Sequence, residues 1–221
     1  MIINPTAKAI LCYGDSNTWG QSDDKNVRGR YPANIRWTGK LQELLGSEYY
    51  VIEEGLGGRT TNLEHYNPDK PGRNGLTYFV PCLMSHMPVD IVIIMLGTND
   101  LKVQYERSAA EIADALKLFV GAVRAVSQET KILLVSLAHI DDSAPKFSEH
   151  YHDIYDEQSA EKSKQLASEI RRVANETDAL FFDASTVAQT GIEGIHLDER
   201  SHTALAQALV TQIQEASIDG G

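Results

Sequence analysis

A serine near the start of the chain is the first residue whose type and setting could perform nucleophilic catalysis. Ser16 lies within Gly14-Asp15-Ser16-Asn17-Thr18, directly after an apolar run, so a strand would deliver its hydroxyl into a turn. An unassisted serine hydroxyl is a poor nucleophile, and it needs a neighbouring imidazole and hydrogen-bond donors for the oxyanion. By itself, the motif is explained equally well by Asp15 or Ser16 capping the helix that follows.

A histidine with the spacing of a general base stands near the end of the chain, in Glu193-Gly194-Ile195-His196. A carboxylate three residues earlier can fold back through the glycine and bind one ring nitrogen, which leaves the other free to accept a proton. The alternative is that His196 is a polar residue at the start of a helix and Glu193 is solvated. Asp198 is a second candidate for the acid, whereas His202 is expected at the surface or in a cap.

Donors for an oxyanion are offered by two further segments. The second predicted strand runs into the glycine-rich segment 53–61, whose glycines let a backbone N–H approach a ligand closely. The Walker pattern and GxGxxG are absent, which disfavours a phosphate site. The third predicted strand ends in Leu96-Gly97-Thr98-Asn99-Asp100. The Asn99 amide there either donates to an oxyanion or caps the next helix.

Strand-like apolar runs alternate with segments of helical spacing along the chain. The predicted strands cover residues 7–13, 49–53, 90–96, 131–137 and 179–182. The predicted helices cover residues 37–45, 78–84, 109–126, 157–173 and 203–213. Alternation favours parallel pairing through right-handed crossovers. We therefore expect an α/β protein, a three-layer α/β/α sandwich with a five-stranded parallel sheet, formed by a single domain over residues 1–221.

All the candidate segments follow the carboxyl ends of predicted strands. In such sheets the ligand crevice lies beyond those ends, where the strand order reverses. The serine, the glycine-rich segment and the asparagine follow strands one, two and three, and the histidine follows strand five. Three connections, at 20–36, 59–76 and 139–152, are longer than a compact fold needs, and two of them leave this same edge. We expect them to form the walls of the site.

The overall composition excludes several classes of partner. The 221 residues carry a formal net charge of −11, which repels phosphate backbones and anionic lipids, so neither nucleic acid nor a membrane is expected as a partner. The start of the chain lacks a charged segment followed by a long apolar one, which predicts a cytoplasmic protein. Cys12 and Cys82 lack metal-ligand spacing, so we expect two buried thiols and no metal site.

Taken together, the motifs resemble those of the SGNH (GDSL-type) hydrolase family. The blocks of that family are a GDS near the N-terminus, a glycine after the second strand, an Asn in GxND, and DxxH near the C-terminus, and blocks of this kind occur here in order. The resemblance implies a flavodoxin-like fold, Ser16 as nucleophile and His196 as base. It also implies an oxyanion hole formed by the Ser16 N–H, the Gly58 N–H and the Asn99 side chain.

Longer matches at 14–20, 36–39, 51–61 and 93–100 resemble one bacterial subgroup of the family. That subgroup contains arylesterases that also act as acyltransferases and perhydrolases, and the resemblance favours a homo-oligomer. Two positions depart from the family pattern. Asn17 replaces the leucine of GDSL, which the chemistry does not need. Glu193 replaces the aspartate, and its extra methylene displaces the carboxylate beyond hydrogen-bond tolerance unless the loop adjusts.

The expected activity is that of a serine esterase acting on short-chain aryl or alkyl esters through an acyl-enzyme, with water, an alcohol or peroxide as acceptor. This mechanism requires no metal or organic cofactor. A small apolar pocket is predicted from four aromatic residues, each of which could instead be core packing: Trp19, Trp37, Tyr78 and Phe79. Deacetylation of carbohydrates is an alternative activity, and a catalytically silent binding module with the same fold is a further alternative.

Overall fold

Five parallel strands form the central sheet of the computed structural model, which describes residues 4–24 and 29–218. The strands are β1 (Lys8–Gly14), β2 (Tyr49–Gly55), β3 (Ile91–Met95), β4 (Lys131–Val135) and β5 (Leu180–Phe182). Their order is β2-β1-β3-β4-β5, and every neighbouring pair is parallel. The predicted five-stranded parallel sheet is confirmed.

The described residues also form seven α-helices. They are α1 (Ser16–Trp19), α2 (Trp37–Leu45), α3 (Gly75–His86), α4 (Ala109–Val126), α5 (Phe147–Tyr151), α6 (Glu157–Thr177) and α7 (Glu199–Ile218). Helix α2 packs against α7 in one layer, while α4 packs against α3 and α6 in the other. The three-layer arrangement explains why β3 is buried along its whole length, since helices cover both faces of the sheet.

Two helices begin earlier than their apolar spacing predicts, because polar caps rather than apolar residues set their starts. Helix α3 begins at Gly75 because the Asn74 side chain accepts a hydrogen bond from the Thr77 N–H. The Asp198 side chain, just before α7, accepts from the Ser201 N–H at 2.6 Å. Such caps satisfy N–H groups that have no partner within the helix.

The sheet topology puts the reversal of strand order between β1 and β3. From β1 the chain crosses to β2 on one side, and from β3 it proceeds outward through β4 to β5 on the other. The segments that follow β1 and β3 therefore flank the crevice expected at such a reversal. No helix within the described residues has the length and apolar character to span a membrane.

The structure tests the predicted exposure of His202 and of the two cysteines. His202 is fully buried, not at the surface, because α7 packs on α2; its Nδ1 accepts the N–H of Trp37, the first residue of α2, at 3.1 Å and so caps that neighbouring helix. Both cysteines are buried free thiols, as predicted. Burial, together with the nearby Glu54 carboxylate, raises the pKa of Cys82 to about 12.

Candidate active site

The structure brings Ser16 and His196 together at the end of β1. The chain leaves β1 at Gly14 and turns at once into α1, whose first residue is Ser16. The Asp15 side chain caps this short helix by accepting from the Asn17 N–H at 2.9 Å. The Ser16 Oγ lies 2.9 Å from the His196 Nε2, and each residue is only 4% exposed. Asp15 thus caps the helix, and the neighbouring Ser16 has its hydroxyl beside the imidazole.

Glu193 contacts the other ring nitrogen of His196. The two carboxylate oxygens lie 2.9 and 3.0 Å from the His196 Nδ1, and Oε1 also accepts from the Ile195 and His196 backbone N–H groups. Gly194 makes this turn possible with a φ of +79°, and an added Cβ there would lie 2.1 Å from the Asp141 carbonyl oxygen. The loop folds the longer glutamate side chain back onto its own backbone.

Electrostatics keep the Glu193 carboxylate ionised despite its burial. Burial by itself would raise its pKa, but the hydrogen bond and attraction from His196, helped by the nearby Tyr151 hydroxyl, hold the pKa below its usual range. A carboxylate that accepts an N–H from Nδ1 fixes the tautomer in which Nε2 can take a proton. Asp198 instead caps α7, so the geometry favours Glu193 as the carboxylate partner.

The Gly58 N–H and the Asn99 side chain lie on the loops that follow β2 and β3. Gly58 has a φ of +81°, and its N–H meets no acceptor in the part of the chain that the structure describes. The Asn99 Nδ2 donates to the Arg59 carbonyl at 3.0 Å and lies 3.5 Å from an Asp15 carboxylate oxygen. The Arg59 carbonyl holds the amide in place, while the longer contact leaves one N–H able to turn to a ligand.

The buried Asp100 carboxylate joins the two loops that carry these donors. The Asp100 carboxylate accepts from the Thr61 N–H at 2.9 Å, from the Thr61 hydroxyl at 2.6 Å and from Arg107 at 2.8 Å. Arg59, 2% exposed, donates to the Gly14 carbonyl at 2.8 Å and lies over the Tyr13 ring. The ends of β1, β2 and β3 are therefore fixed relative to one another.

Two residues at the site were not identified from the sequence. Asn17, a position that the chemistry was not expected to need, accepts from the Leu197 N–H at 2.9 Å and donates to the Ile195 carbonyl at 3.4 Å. Tyr151 lies beside Glu193, whose pKa its hydroxyl helps to lower, and its ring centroid lies 6.3 Å from that of His196. The departure from GDSL at Asn17 was the available signal, but nothing local indicates Tyr151.

The predicted aromatic pocket is wrong for two of its four members. Trp37 is 1% exposed and Phe79 is fully buried, and both belong to the hydrophobic core. They face the sheet because α2 and α3 present their apolar sides to it. Tyr78 is 44% exposed with its hydroxyl 3.4 Å from Glu54, and Trp19 is partly exposed beneath the Arg30 guanidinium.

All three long connections reach the neighbourhood of the site. In 20–36, whose residues 25–28 lie outside the described residues, Asp23 accepts from the Ile192 N–H at 3.3 Å. In 59–76, His65 and Arg73 lie against Gly58. In 139–152, Tyr151 reaches Glu193. These segments come from three separate crossovers, so only the folded chain brings them together.

One mixed cluster could offer ligands to a metal. Glu54, Cys82 and His86 bring potential ligand atoms within 4.8 Å of one another, beside the end of β2. The Glu54 Oε1 and the His86 Nε2 lie 3.0 Å apart. Metals bind thiolates, and the raised pKa keeps Cys82 in its thiol form, so a metal would have to displace that proton.

Known proteins share both the sequence pattern and the fold. The family model described as GDSL-like Lipase/Acylhydrolase family matches residues 12–204. The native aryl esterase of M. smegmatis is 37% identical with a TM-score of 0.85, covering 95% of this chain and 99% of that one. A carbohydrate acetylesterase from Sinorhizobium meliloti is 35% identical with a TM-score of 0.87, covering 95% and 99%.

A curated relative matches more narrowly. The acetylxylan esterase of Xylanibacter ruminicola is 30% identical over 115 residues, which is 52% of this chain and 22% of that protein. This chain thus matches only about a fifth of that relative's length. The family match is broader, running from the strand that delivers Ser16 to the helix that follows His196. With two esterase structures similar over nearly its full length, the chain belongs to the GDSL-like lipase/acylhydrolase family and is an esterase of that family.

Proposed function

We propose that Ser16, His196 and Glu193 are the nucleophile, base and acid of this esterase. The observation that carries the proposal is the pair of contacts on the His196 ring, with the serine hydroxyl 2.9 Å from Nε2 and the carboxylate 2.9 Å from Nδ1. The Ser16 Oγ attacks the ester carbonyl carbon while its proton passes to Nε2. The carbonyl oxygen becomes an oxyanion, and Glu193 stabilises the imidazolium that forms.

The oxyanion would be held by the Ser16 N–H, the Gly58 N–H and the Asn99 side chain. Ser16 is the first residue of its helix, so its N–H has no partner within that helix. Each such donor contributes on the order of 3 kcal/mol to the transition state. When the tetrahedral intermediate collapses, the ester C–O bond breaks and the alcohol leaves with the proton from Nε2. Water then attacks the acyl carbonyl carbon while its proton passes to the His196 Nε2. The bond to the Ser16 Oγ breaks, Ser16 takes that proton back, and the carboxylic acid leaves.

The proposed substrates are short-chain aryl or alkyl esters, with an alcohol or peroxide able to replace water as acyl acceptor. The similarity to an aryl esterase supports the aryl class. Because Trp37 and Phe79 lie in the core, the aromatic pocket gives this preference no support. The single-domain organisation, the cytoplasmic location and the homo-oligomeric state stay predictions from the sequence.

Deacetylation of carbohydrates is a second candidate function. It is supported by the similarity to a carbohydrate acetylesterase over 95% of the chain and by the shorter match to an acetylxylan esterase. The two activities share every chemical step and differ only in the alcohol that leaves. Rates on acetylated xylan and on 4-nitrophenyl acetate, measured with one preparation, decide between them, and a higher kcat/KM on the polysaccharide selects deacetylation.

Replacing the nucleophile tests the proposed mechanism. We expect Ser16→Ala to abolish turnover of 4-nitrophenyl acetate and labelling by a fluorophosphonate, because within the described part of the chain Ser16 supplies the only hydroxyl bonded to the His196 Nε2. A thermal melt and a circular dichroism spectrum serve as the control for folding. Turnover or labelling retained by the folded variant would rule out Ser16 as the nucleophile.

A further inference from the structure

Three cationic side chains surround one histidine next to the proposed oxyanion donors. Burial lowers the pKa of His65, and the nearby charges of Lys102, Lys70 and Arg73 lower it further. Lys102 follows the turn that carries Asn99, whereas the other two belong to the connection that follows Gly58. We call Lys70, Arg73 and Lys102 the cationic rim.

Contacts place the cationic rim beside Gly58. A Cβ built on Gly58 would lie 3.5 Å from the Arg73 Cγ and 3.6 Å from the His65 Cδ2. The His65 ring stacks on Tyr66 with centroids 4.5 Å apart, and the Lys102 Nζ lies 5.8 Å from the centre of the Tyr66 ring. The rim thus adjoins the loop that presents the Gly58 N–H.

Lys102 is a buried cation without a carboxylate partner. It is only 7% exposed, and among the described residues it forms no salt bridge. Two carboxylates attract it from a distance without forming a salt bridge: Asp15, which accepts the Asn17 N–H, and Asp100, which is bonded to Thr61 and paired with Arg107. Burial, with repulsion from Lys70, lowers the pKa of Lys102 to about 8. Burying a charge costs free energy unless the charge is paired. A bound anion would therefore stabilise this ammonium group.

Two other side chains near Lys102, those of Arg73 and His65, can also interact favourably with an anion. Arg73 donates hydrogen bonds from Nε to the Gly57 carbonyl and from Nη1 to the Pro71 carbonyl. It forms no salt bridge within the described residues. His65 accepts the Asn67 N–H on Nδ1 at 3.0 Å, and burial with the adjacent cations lowers its pKa to about 4. A neutral imidazole in that state carries its proton on Nε2 and adds a hydrogen-bond donor.

We propose that the cationic rim binds an anionic group carried by the ester substrate, a carboxylate being the simplest. This inference rests on the proposed function, because it assigns a substrate class to the same site. The cations are not a sample of a generally basic surface, since the chain has a net charge of −11. A local positive potential on an acidic protein attracts anions specifically to this place. The anion can lie on the acyl part or on the alcohol part of the ester.

Two matched pairs of esters measure the preference and distinguish these two positions. Mono-4-nitrophenyl adipate and its methyl ester place the charge on the acyl part. 4-Acetoxybenzoate and its methyl ester place it on the leaving alcohol. The preference is the kcat/KM of the anionic ester divided by that of the neutral one, at pH 7 and low salt. Lys102→Gln and Lys70→Gln remove rim charges, and Lys8→Gln removes the same charge at the start of β1, at the opposite edge of the sheet.

We expect Lys102→Gln to lower the preference roughly tenfold for one of the two pairs, because a partly buried charge is weakly screened. Lys70→Gln should lower it at least threefold, and Lys8→Gln should leave it unchanged. The wild-type preference should also fall at high salt. If Lys102→Gln fails to fold, the exposed Lys70 variant and the salt series decide.

A loss of preference below threefold in both rim variants, for both pairs, overturns the proposal. So does a loss no larger than that of Lys8→Gln. Failure of the proposed function looks different, because Ser16→Ala would then still hydrolyse all four esters whatever the rim variants do.

Discussion

At the residue scale, the identity of the acid depends on a single side chain. Glu193 stands where the family has aspartate, and its extra methylene would misplace the carboxylate in an unchanged loop. The structure shows the loop adjusting, because the carboxylate accepts two backbone N–H groups within the turn while both its oxygens still contact the His196 Nδ1. Asp198 has a different task, since it caps α7. Position in the loop, not carboxylate type, is therefore the basis for proposing Glu193 as the acid.

Alanine substitutions at the two carboxylates should separate these tasks. We expect Glu193→Ala to lower kcat for 4-nitrophenyl acetate at least a hundredfold, because the His196 tautomer and the imidazolium lose their support. Asp198→Ala should lower kcat less than tenfold and should cost about 1 kcal/mol of unfolding free energy through the lost cap. Steady-state kinetics and urea denaturation of both variants measure these effects. The reverse order of kcat losses would assign the acid to Asp198.

At the scale of secondary-structure elements, one amide joins the helix of the nucleophile to the loop of the base. Asn17 lies on α1, one residue after Ser16, and both its polar atoms bond to the backbone on either side of His196. A leucine at this position could make neither bond. A polar contact that GDSL does not provide therefore joins the segment of Ser16 to the segment of His196.

The role of Asn17 can be tested by substituting the leucine of the family. We expect Asn17→Leu to lower kcat roughly tenfold with a smaller change in KM, because the buried Leu197 N–H loses its acceptor and His196 is held less firmly. Asn17→Asp keeps an acceptor for that N–H and should retain more activity than Asn17→Leu. Equal kcat values for Asn17→Leu and wild type would show that the bridge does not position the base.

At the scale of the whole molecule, the last helix is tied to the first crossover by a buried histidine. The Trp37 N–H at the start of α2 donates to the Nδ1 of His202 on α7. Burial lowers the pKa of His202 to about 3. In the unfolded chain the histidine side chain has a pKa of about 6.5. The folded state therefore favours the neutral ring, and its contribution to stability is present above pH ~6.5 and lost as the pH falls toward 3.

Global unfolding should report this titration. Between pH 7 and pH 4.5 we expect the wild type to lose on the order of 2 kcal/mol more unfolding free energy than His202→Asn, which keeps an acceptor for the Trp37 N–H but takes up no proton. Urea denaturation at the two pH values measures the difference. His152→Asn, the same substitution at an exposed histidine, should behave like the wild type. Parallel pH profiles for wild type and His202→Asn would contradict the assignment.

The sequence by itself determined the architecture and the segments that meet at the crevice. Apolar periodicity is a local property, so the strands could be recognised from short windows, and their alternation with helices implied a parallel sheet. A parallel sheet puts the carboxyl ends of its strands at one edge. The segments of Ser16, Gly58 and Asn99, and the one before α7 that carries His196, were therefore expected together, and the structure does place them together.

Only the tertiary structure decided which side chains in those segments make contact. It placed Glu193 rather than Asp198 against His196, added Asn17 and Tyr151 to the site, and put Trp37 and Phe79 in the core. It also gathered the cationic rim from two separate loops. Such contacts join residues far apart in the chain, and they depend on the path of long loops, for which no local periodicity sets the geometry.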